Sequence, residues 1–292
     1  EATLSQLSNV SSVAISIERA MQEIAETDNN AGEPPVRSLA IVGEEGLELL
    51  ASSQESVFTA GKNFFEESEL NEIALSGQSG WIAILTDSGV FRTRGDRPGA
   101  DVEQIESRAA IAGIEFDPQE YLWSATRVAD SEIIVTSPSL EQSNVLAPWL
   151  AGQSVRAFAI SPAGSKIAML VQGPSRIRVL VSAVIRNPSG TPIELAEPLE
   201  VAGELSNPSA VSWIDQITIA TVNTAGGSTS ALLSTIGGTS RQLPALPGTR
   251  KIVAAGISSQ LYLLTETGEL FSYRGSAWTP LRQSIRALAL VN

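Results

Sequence analysis

The chain has 292 residues, 43% hydrophobic and 17% charged, a composition typical of a folded globular protein with a sizeable core. The net charge of −13 disfavours nucleic acid as a partner, because the phosphate backbone would be repelled. The chain has no Cys and no His, which excludes disulfides, Cys- or His-ligated metals and Ser-His or Cys-His nucleophiles within it. Only carboxylates remain for acid-base catalysis, and no apolar run approaches the roughly 20 residues that span a bilayer.

Residues 1–33 differ from the rest of the chain. They contain an alternating apolar stretch, a short helix-like stretch and a polar, Pro-ended segment. The first residue is Glu rather than Met, and no signal peptide follows it. We therefore expect a mature fragment in which residues 1–33 are the remnant of a preceding domain plus a linker, and residues 34–292 form the next domain.

From residue 36 onward, a unit of an alternating strand, a turn and a second apolar strand recurs about every 40 residues. In residues 155–171, VRAFAISPAGSKIAMLV, the first strand alternates and the Ser-Pro-Ala-Gly turn separates it from an apolar run. A further strand follows each unit. The six units begin near residues 36, 70, 110, 155, 208 and 250, and the further strands cover residues 56–61, 89–94, 132–137, 177–186, 231–236 and 269–274.

This period predicts an all-β fold, a β-propeller of four-stranded blades, in which radial packing covers both faces of each small sheet. Six blades are the favoured number, and five or seven are the alternatives. Residues 284–292 form a leftover apolar strand and are predicted to close the ring. Their likeness to residues 36–41 leaves open which strand of the closing blade each end supplies.

Three arginines are candidate binding residues. Arg37, Arg156 and Arg286 occupy the same place in similar strands, which predicts equivalent positions near one rim of the propeller. Guanidinium groups suit a carboxylate or phosphate ligand because each offers a planar pair of donors. The alternative is that they form inter-blade hydrogen bonds or pair with acidic neighbours.

Two tryptophans are the other candidates. Trp149 and Trp278 lie in predicted connections and are expected to contact a ligand or partner, whereas Trp81 and Trp123 lie in second strands and are expected in the core. We predict no catalytic residue, metal site or cofactor, because no calcium-loop or phosphate-loop motif is present and the paired carboxylates fall in polar turns.

Residues 154–201 resemble the β-propeller domain of the actinobacterial LpqB lipoprotein family. The resemblance rests on Ser161, Pro162 and Gly164 of the blade turn and on the Val-x-Arg sequence at residues 184–186, with Ala163 where the family has Asp. It continues in order through residues 211–215, 243–248 and 261–278. The N-terminal piece is similar to the end of the germination-protein-like domain that precedes the propeller in this family.

The resemblance implies a non-catalytic lipoprotein on the outer face of the cytoplasmic membrane, anchored through a lipidated cysteine upstream of this chain. It also implies a partner, the extracytoplasmic domain of an MtrB-type sensor histidine kinase, and modulation of a two-component system for cell-envelope and division control. Two alternatives remain: a propeller that recognises a cell-wall glycan or lipid-linked precursor, and a hydrolase or lyase that uses carboxylates alone.

Overall fold

The computed structural model describes residues 39–44, 46–50, 56–60, 70–94, 102–107, 110–201, 205–246, 248–255, 260–274 and 276–291. Residues 1–33 lie outside this part, so their assignment to a preceding domain stays a prediction. None of the described residues forms a helix of the length and hydropathy needed to cross a membrane.

The described strands form six antiparallel sheets, named here blades 1 to 6. Blade 1 contains β1 (Leu39–Gly43), β2 (Gly46–Leu50), β3 (Ser56–Ala60) and the last strand, β25 (Ala287–Leu290). Blade 2 contains β4 (Leu70–Leu75), β5 (Trp81–Thr86), β6 (Gly89–Arg94) and β7 (Glu103–Glu106). Blade 3 contains β8 (Ile111–Phe116), β9 (Leu122–Thr126), β10 (Ile133–Thr136) and β11 (Gln142–Val145).

Blade 4 contains β12 (Ser154–Ile160), β13 (Lys166–Gln172), the long β14 (Ile177–Arg186), β15 (Pro192–Leu195) and β16 (Leu199–Glu200). Its fourth position is shared, because β15 and β16 pair with different halves of β14. Blade 5 contains β17 (Pro208–Trp213), β18 (Thr218–Ala225), β19 (Ser228–Thr235) and β20 (Ser240–Ala245). Blade 6 contains β21 (Thr249–Ala255), β22 (Gln260–Thr265), β23 (Leu270–Arg274) and β24 (Ala277–Arg282).

The innermost strands of the six blades contact one another in a closed circle, in the order β4, β8, β12, β17, β21, β25 and back to β4. The molecule is therefore a six-bladed β-propeller, as the sequence predicts. The C-terminal strand β25 closes the ring as the innermost strand of blade 1, and β1 pairs with it antiparallel, with Ile41 opposite Leu288.

The structure resolves the strand positions in the closing blade, which the sequence left open. The unit at residues 36–52 supplies β1 and β2, which are the second and third strands of blade 1 rather than the first and second. Every residue of β1 is buried, as in β9, the second strand of blade 3. First and second strands both pack between neighbouring blades, so their sequences look alike.

The core lies between the blades. In β13, Ala168 and Leu170 pack with Trp213 of blade 5, whereas Met169 packs with Trp123 of blade 3. Successive side chains of a strand point to opposite faces, so each central strand contributes to two interfaces. This explains why the central strands are continuous apolar runs in the sequence, without alternation of apolar and polar residues.

A capped turn joins the first two strands in several blades. The Ser161 Oγ accepts a hydrogen bond from the Lys166 N–H at 3.0 Å, and Asp215 accepts from the Thr218 N–H at 2.7 Å in blade 5. Gly164 adopts a φ of +67°, and a Cβ there would lie 2.7 Å from the Gln119 Oε1 of blade 3. The Ser-Pro-Ala-Gly turn therefore favours glycine for its backbone conformation, and a side chain there would also displace the Gln119 amide.

Candidate functional site

The central channel of the propeller is narrow. The innermost strands enclose a cavity of about 40 Å³, which is room for roughly three water molecules. Its polar lining includes Glu72, Glu115, Ser212 and Lys251. A cavity of this volume is too small to enclose a sugar ring.

The polar side chains of the channel bond to neighbouring blades. The Glu72 Oε2 accepts from the Ile114 N–H at 3.1 Å, and the Glu115 Oε2 accepts from the Ile160 N–H at 2.9 Å. The Ser212 Oγ accepts from the Ala254 N–H of blade 6 at 3.3 Å. These side chains brace successive blades, and each carboxylate is already a hydrogen-bond acceptor within the scaffold.

An ion pair crosses the ring. The Lys251 ammonium of blade 6 contacts the Glu72 carboxylate of blade 2, and both side chains are partly buried. Blade 1 lies between these blades, so the pair joins both neighbours of the blade that closes the ring. In the described part of the chain, no three or more Asp or Glu residues are grouped to hold a metal ion.

A second cavity, named here the mouth cavity, opens where the innermost strands of blades 6, 1 and 2 begin. Its volume is about 70 Å³. The Arg250 Nη2 donates to the Ile285 carbonyl at 3.5 Å and to the Arg286 carbonyl. Burial lowers the pKa of Arg250, and the negative charge of Glu266 opposes that shift. The lining residues are Asn71, Glu72, Arg250, Lys251, Leu264, Arg286, Ala287 and Leu288.

The structure places two of the three predicted arginines at the starts of innermost strands. Arg156 lies at a bulge of β12, is exposed, and makes no hydrogen bond or ion pair with other described residues. Arg286 directly precedes β25, and its N–H donates to the Val42 carbonyl at 2.7 Å. Arg37 lies outside the described residues, and the strand after it, β1, is a second strand, so the equivalence of strand position fails for Arg37.

Sequence reasoning missed Arg250, which occupies the corresponding bulge of β21. The stretch TRKIVAA lacks the Arg-Ala-aromatic or Arg-Ala-Leu sequence of the other two strands. A looser pattern, an arginine two residues before an apolar strand, would have found it. Three blades thus carry an arginine where the innermost strand begins.

The candidate tryptophans are partly buried. Trp149 lies in a single 3-10 turn, Pro148–Leu150, and its Nε1 donates to the Leu195 carbonyl at 3.3 Å. Trp278 lies within strand β24 rather than in a connection, so that part of its prediction is wrong. Its Nε1 donates to the Pro244 carbonyl at 3.0 Å and its ring lies 5.1 Å from Tyr273. Their roles in binding stay predictions.

The two tryptophans expected in the core differ. Trp123 is fully buried. Trp81 is only partly buried, and the Arg92 guanidinium lies 3.9 Å from its ring centre with Arg94 at 5.0 Å. The sequence neighbours of Trp81 are apolar, but it opens β5 at the blade end, where the arginines of β6 cover it.

Asp117 and Arg186 form an inter-blade contact that sequence reasoning did not identify. The Asp117 Oδ2 accepts from the Trp123 Nε1 at 2.8 Å and from the Arg186 Nη2 at 2.6 Å, and its carboxylate is fully buried. Arg186 also donates to the Gly164 carbonyl at 3.1 Å. The arginine of the Val-x-Arg sequence therefore fastens the β14–β15 hairpin of blade 4 onto blade 3.

A family model described as the lipoprotein LpqB beta-propeller domain matches residues 48–287. The chain belongs to the LpqB β-propeller family. The match covers most of the ring, from β2 to the first residue of β25, and confirms the resemblance drawn from the sequence. No protein in a curated collection matches this LpqB-family propeller.

Solved structures similar to the LpqB-family propeller share its fold at low identity. A chain of a nidogen/laminin complex is 12% identical, with 87% of this chain and 98% of that chain covered and a TM-score of 0.63. TolB from Acinetobacter baumannii is 13% identical, with 93% and 71% covered and a TM-score of 0.63. A gluconolactonase from Xanthomonas campestris is 15% identical, with 86% and 88% covered and a TM-score of 0.55. These likenesses concern the fold alone.

Proposed function

We propose that this LpqB-family propeller is a non-catalytic module that binds the extracytoplasmic domain of an MtrB-type sensor histidine kinase and modulates its two-component system. In this proposal a lipidated cysteine upstream of the chain anchors it to the outer face of the cytoplasmic membrane. Family membership supports the lipoprotein module. The observation that carries the proposal is that the carboxylates of the channel bond to neighbouring blades. Since these carboxylates brace the scaffold, the outer faces are the surfaces left for contact.

The face where the innermost strands begin suits a protein partner. Arg156 is exposed there at the start of β12, and Trp149 lies partly exposed in the connection that leads into the same strand. Arg and Trp are enriched among the residues that contribute most to protein interfaces. We assign this part of blade 4, with Trp149 and Arg156, as the docking surface.

Calorimetric titration of the complete extracytoplasmic lipoprotein with the kinase's extracytoplasmic domain tests the proposal. We expect Arg156→Ala to weaken binding by about tenfold or more, because an interface arginine of this kind contributes on the order of 1–2 kcal/mol. Arg241→Ala is the matched control, since Arg241 is exposed on the outermost strand of blade 5. Absence of any complex contradicts the proposal, and equal affinities of both variants contradict the assigned surface.

A second candidate function is recognition of a cell-wall glycan or lipid-linked precursor. The mouth cavity favours it, because Arg250, Lys251 and Arg286 bring three cations to one opening. The channel below is too small for a sugar, so such a ligand would bind at the mouth. Calorimetry with soluble cell-wall fragments tests this function, and a panel of glycosides and lactones checks for hydrolysis.

A further inference from the structure

The mouth cavity brings together unused hydrogen-bond donors. An arginine has five N–H groups and a lysine three. Among the described residues, Arg250 uses only its Nη2, on two backbone carbonyls, and Lys251 bonds only to Glu72. Within the described part of the chain, the Nε and Nη1 groups of Arg250 and the remaining N–H groups of Lys251 therefore have no partner and can bond to a ligand in the cavity.

The backbone fixes these donors in place. Arg250 occupies the bulge of β21, and the carbonyls of Ile285 and Arg286, just before β25, hold its guanidinium from one side. Lys251 is held by its ion pair with Glu72. Side chains that are positioned before the ligand arrives lose little conformational entropy on binding.

The size and charge of the cavity select the ligand. The volume of about 70 Å³ exceeds the roughly 10–15 Å³ that one water-sized group needs, so the cavity has room for a small polyatomic anion such as phosphate. Three cations and one carboxylate, Glu72, line it. Among the described residues, the acidic groups Glu266 and Asp87 are nearby but do not line the cavity, and Asp87 accepts from the Asn71 amide at 2.7 Å.

We propose that the mouth cavity is a phosphate-binding site in which Arg250 and Lys251 are the principal donors. Charge-assisted hydrogen bonds from guanidinium and ammonium groups to phosphate oxygens are among the stronger hydrogen bonds in proteins. A bound phosphate would also offset the cost of partly burying Arg250. The site is separate from the docking surface on blade 4, and it gives the second candidate function a defined chemical group.

Titration of the 292-residue chain with inorganic phosphate, followed by ¹H–¹⁵N NMR, tests the site. We expect saturable shifts of amides in β21 and β25, and a loss of affinity of about tenfold in Arg250→Gln, which corresponds to one charge-assisted hydrogen bond. Arg282→Gln is the matched control, because Arg282 is exposed on the outermost strand of the same blade. Lys251→Gln is a second variant, and the amide spectra of all variants report whether they remain folded.

The outcomes separate clearly. Saturable phosphate binding that Arg250→Gln weakens and Arg282→Gln does not supports the site. Absence of saturable shifts, or equal affinities in a folded Arg250→Gln and in Arg282→Gln, overturns it. Acetate that displaces phosphate at equal concentration overturns the assignment to phosphate, because the cavity would then select any small anion.

Two sources of the phosphate are distinguished with vesicles. Vesicles of phosphatidylcholine that contain phosphatidic acid present the group on a lipid headgroup, and vesicles of phosphatidylcholine alone are the control. Sedimentation with the first kind only, lost in Arg250→Gln, supports the site with a lipid ligand. Phosphate binding without sedimentation supports it with a soluble ligand. Sedimentation that Arg250→Gln leaves unchanged overturns the site as the origin of lipid binding.

Discussion

Single side chains hold neighbouring blades together where their turns meet. The buried carboxylate of Asp117 accepts two backbone N–H groups of its own turn, the Trp123 indole and the Arg186 guanidinium. Asp215 occupies the corresponding turn of blade 5, where it is exposed and accepts only backbone N–H groups. The two aspartates therefore cap similar turns, but only Asp117 also neutralises a cation from the next blade.

We expect Asp117→Asn to lower the free energy of unfolding by about 3–5 kcal/mol, because it leaves Arg186 without its counter-charge in a mostly buried site. Asp215→Asn is the matched control and should cost no more than about 1 kcal/mol. Urea denaturation followed by circular dichroism measures both losses. Equal losses in the two variants would show that the turn matters and the ion pair does not.

At the level of secondary-structure elements, β25 closes the ring by pairing with β1. Leu288 is buried to 2% exposure, lies opposite Ile41 of β1, and packs against Tyr262 and Leu264 of blade 6. One side chain of this strand thus contacts both its own blade and the preceding one.

We expect Leu288→Ala to lower the free energy of unfolding by about 2–5 kcal/mol, the range for buried leucines replaced by alanine. Leu199→Ala is the control, since Leu199 is 62% exposed in β16 and its loss should change the stability by at most about 0.5 kcal/mol. Denaturant unfolding monitored by tryptophan fluorescence measures the difference. Similar stabilities of the two variants would mean that β25 contributes little to the ring.

Pairs of strands that follow one another in the sequence could be predicted. The position of a strand within its blade could not always be predicted. Residues 155–171 form β12 and β13 around the predicted turn, because alternation and turn residues are local signals. The sequence left the position of β1 open, because burial on both faces gives first and second strands the same pattern. Its true neighbour, β25, lies at the other end of the chain, and no local signal specifies that pairing.

At the level of the whole molecule, the ring depends on contacts between distant parts of the sequence. Lys251 and Glu72 are 179 residues apart in the chain. The number of blades followed from the sequence period, but this ion pair and the Arg250 cavity could not, because they arise only when blades 6, 1 and 2 come together. The sequence therefore predicted which residue type forms the candidate site, but it identified only some of the residues that belong to the site.

We expect Glu72→Gln to lower the free energy of unfolding of the whole ring by about 1–3 kcal/mol, since it removes the charge that pairs with Lys251 and weakens the bond to the Ile114 N–H. Glu200→Gln is the control, because Glu200 forms a more exposed pair with Arg176 inside blade 4, and such pairs contribute about 0–1 kcal/mol. Thermal unfolding followed by circular dichroism compares them. A smaller loss in Glu72→Gln than in Glu200→Gln would contradict a role of the pair in holding the ring.

The pairing of β25 with β1 also sets an order of events in the cell. Blades 2 to 6 and three strands of blade 1 can be synthesised before residues 287–290 exist, but blade 1 then lacks its innermost strand. Until those residues emerge, the backbone groups of β1 that will pair with β25 have no partner, and an open edge of this kind invites pairing with other chains. A stop codon placed just before residue 287 is therefore expected to yield an aggregating polypeptide rather than a slightly shortened propeller.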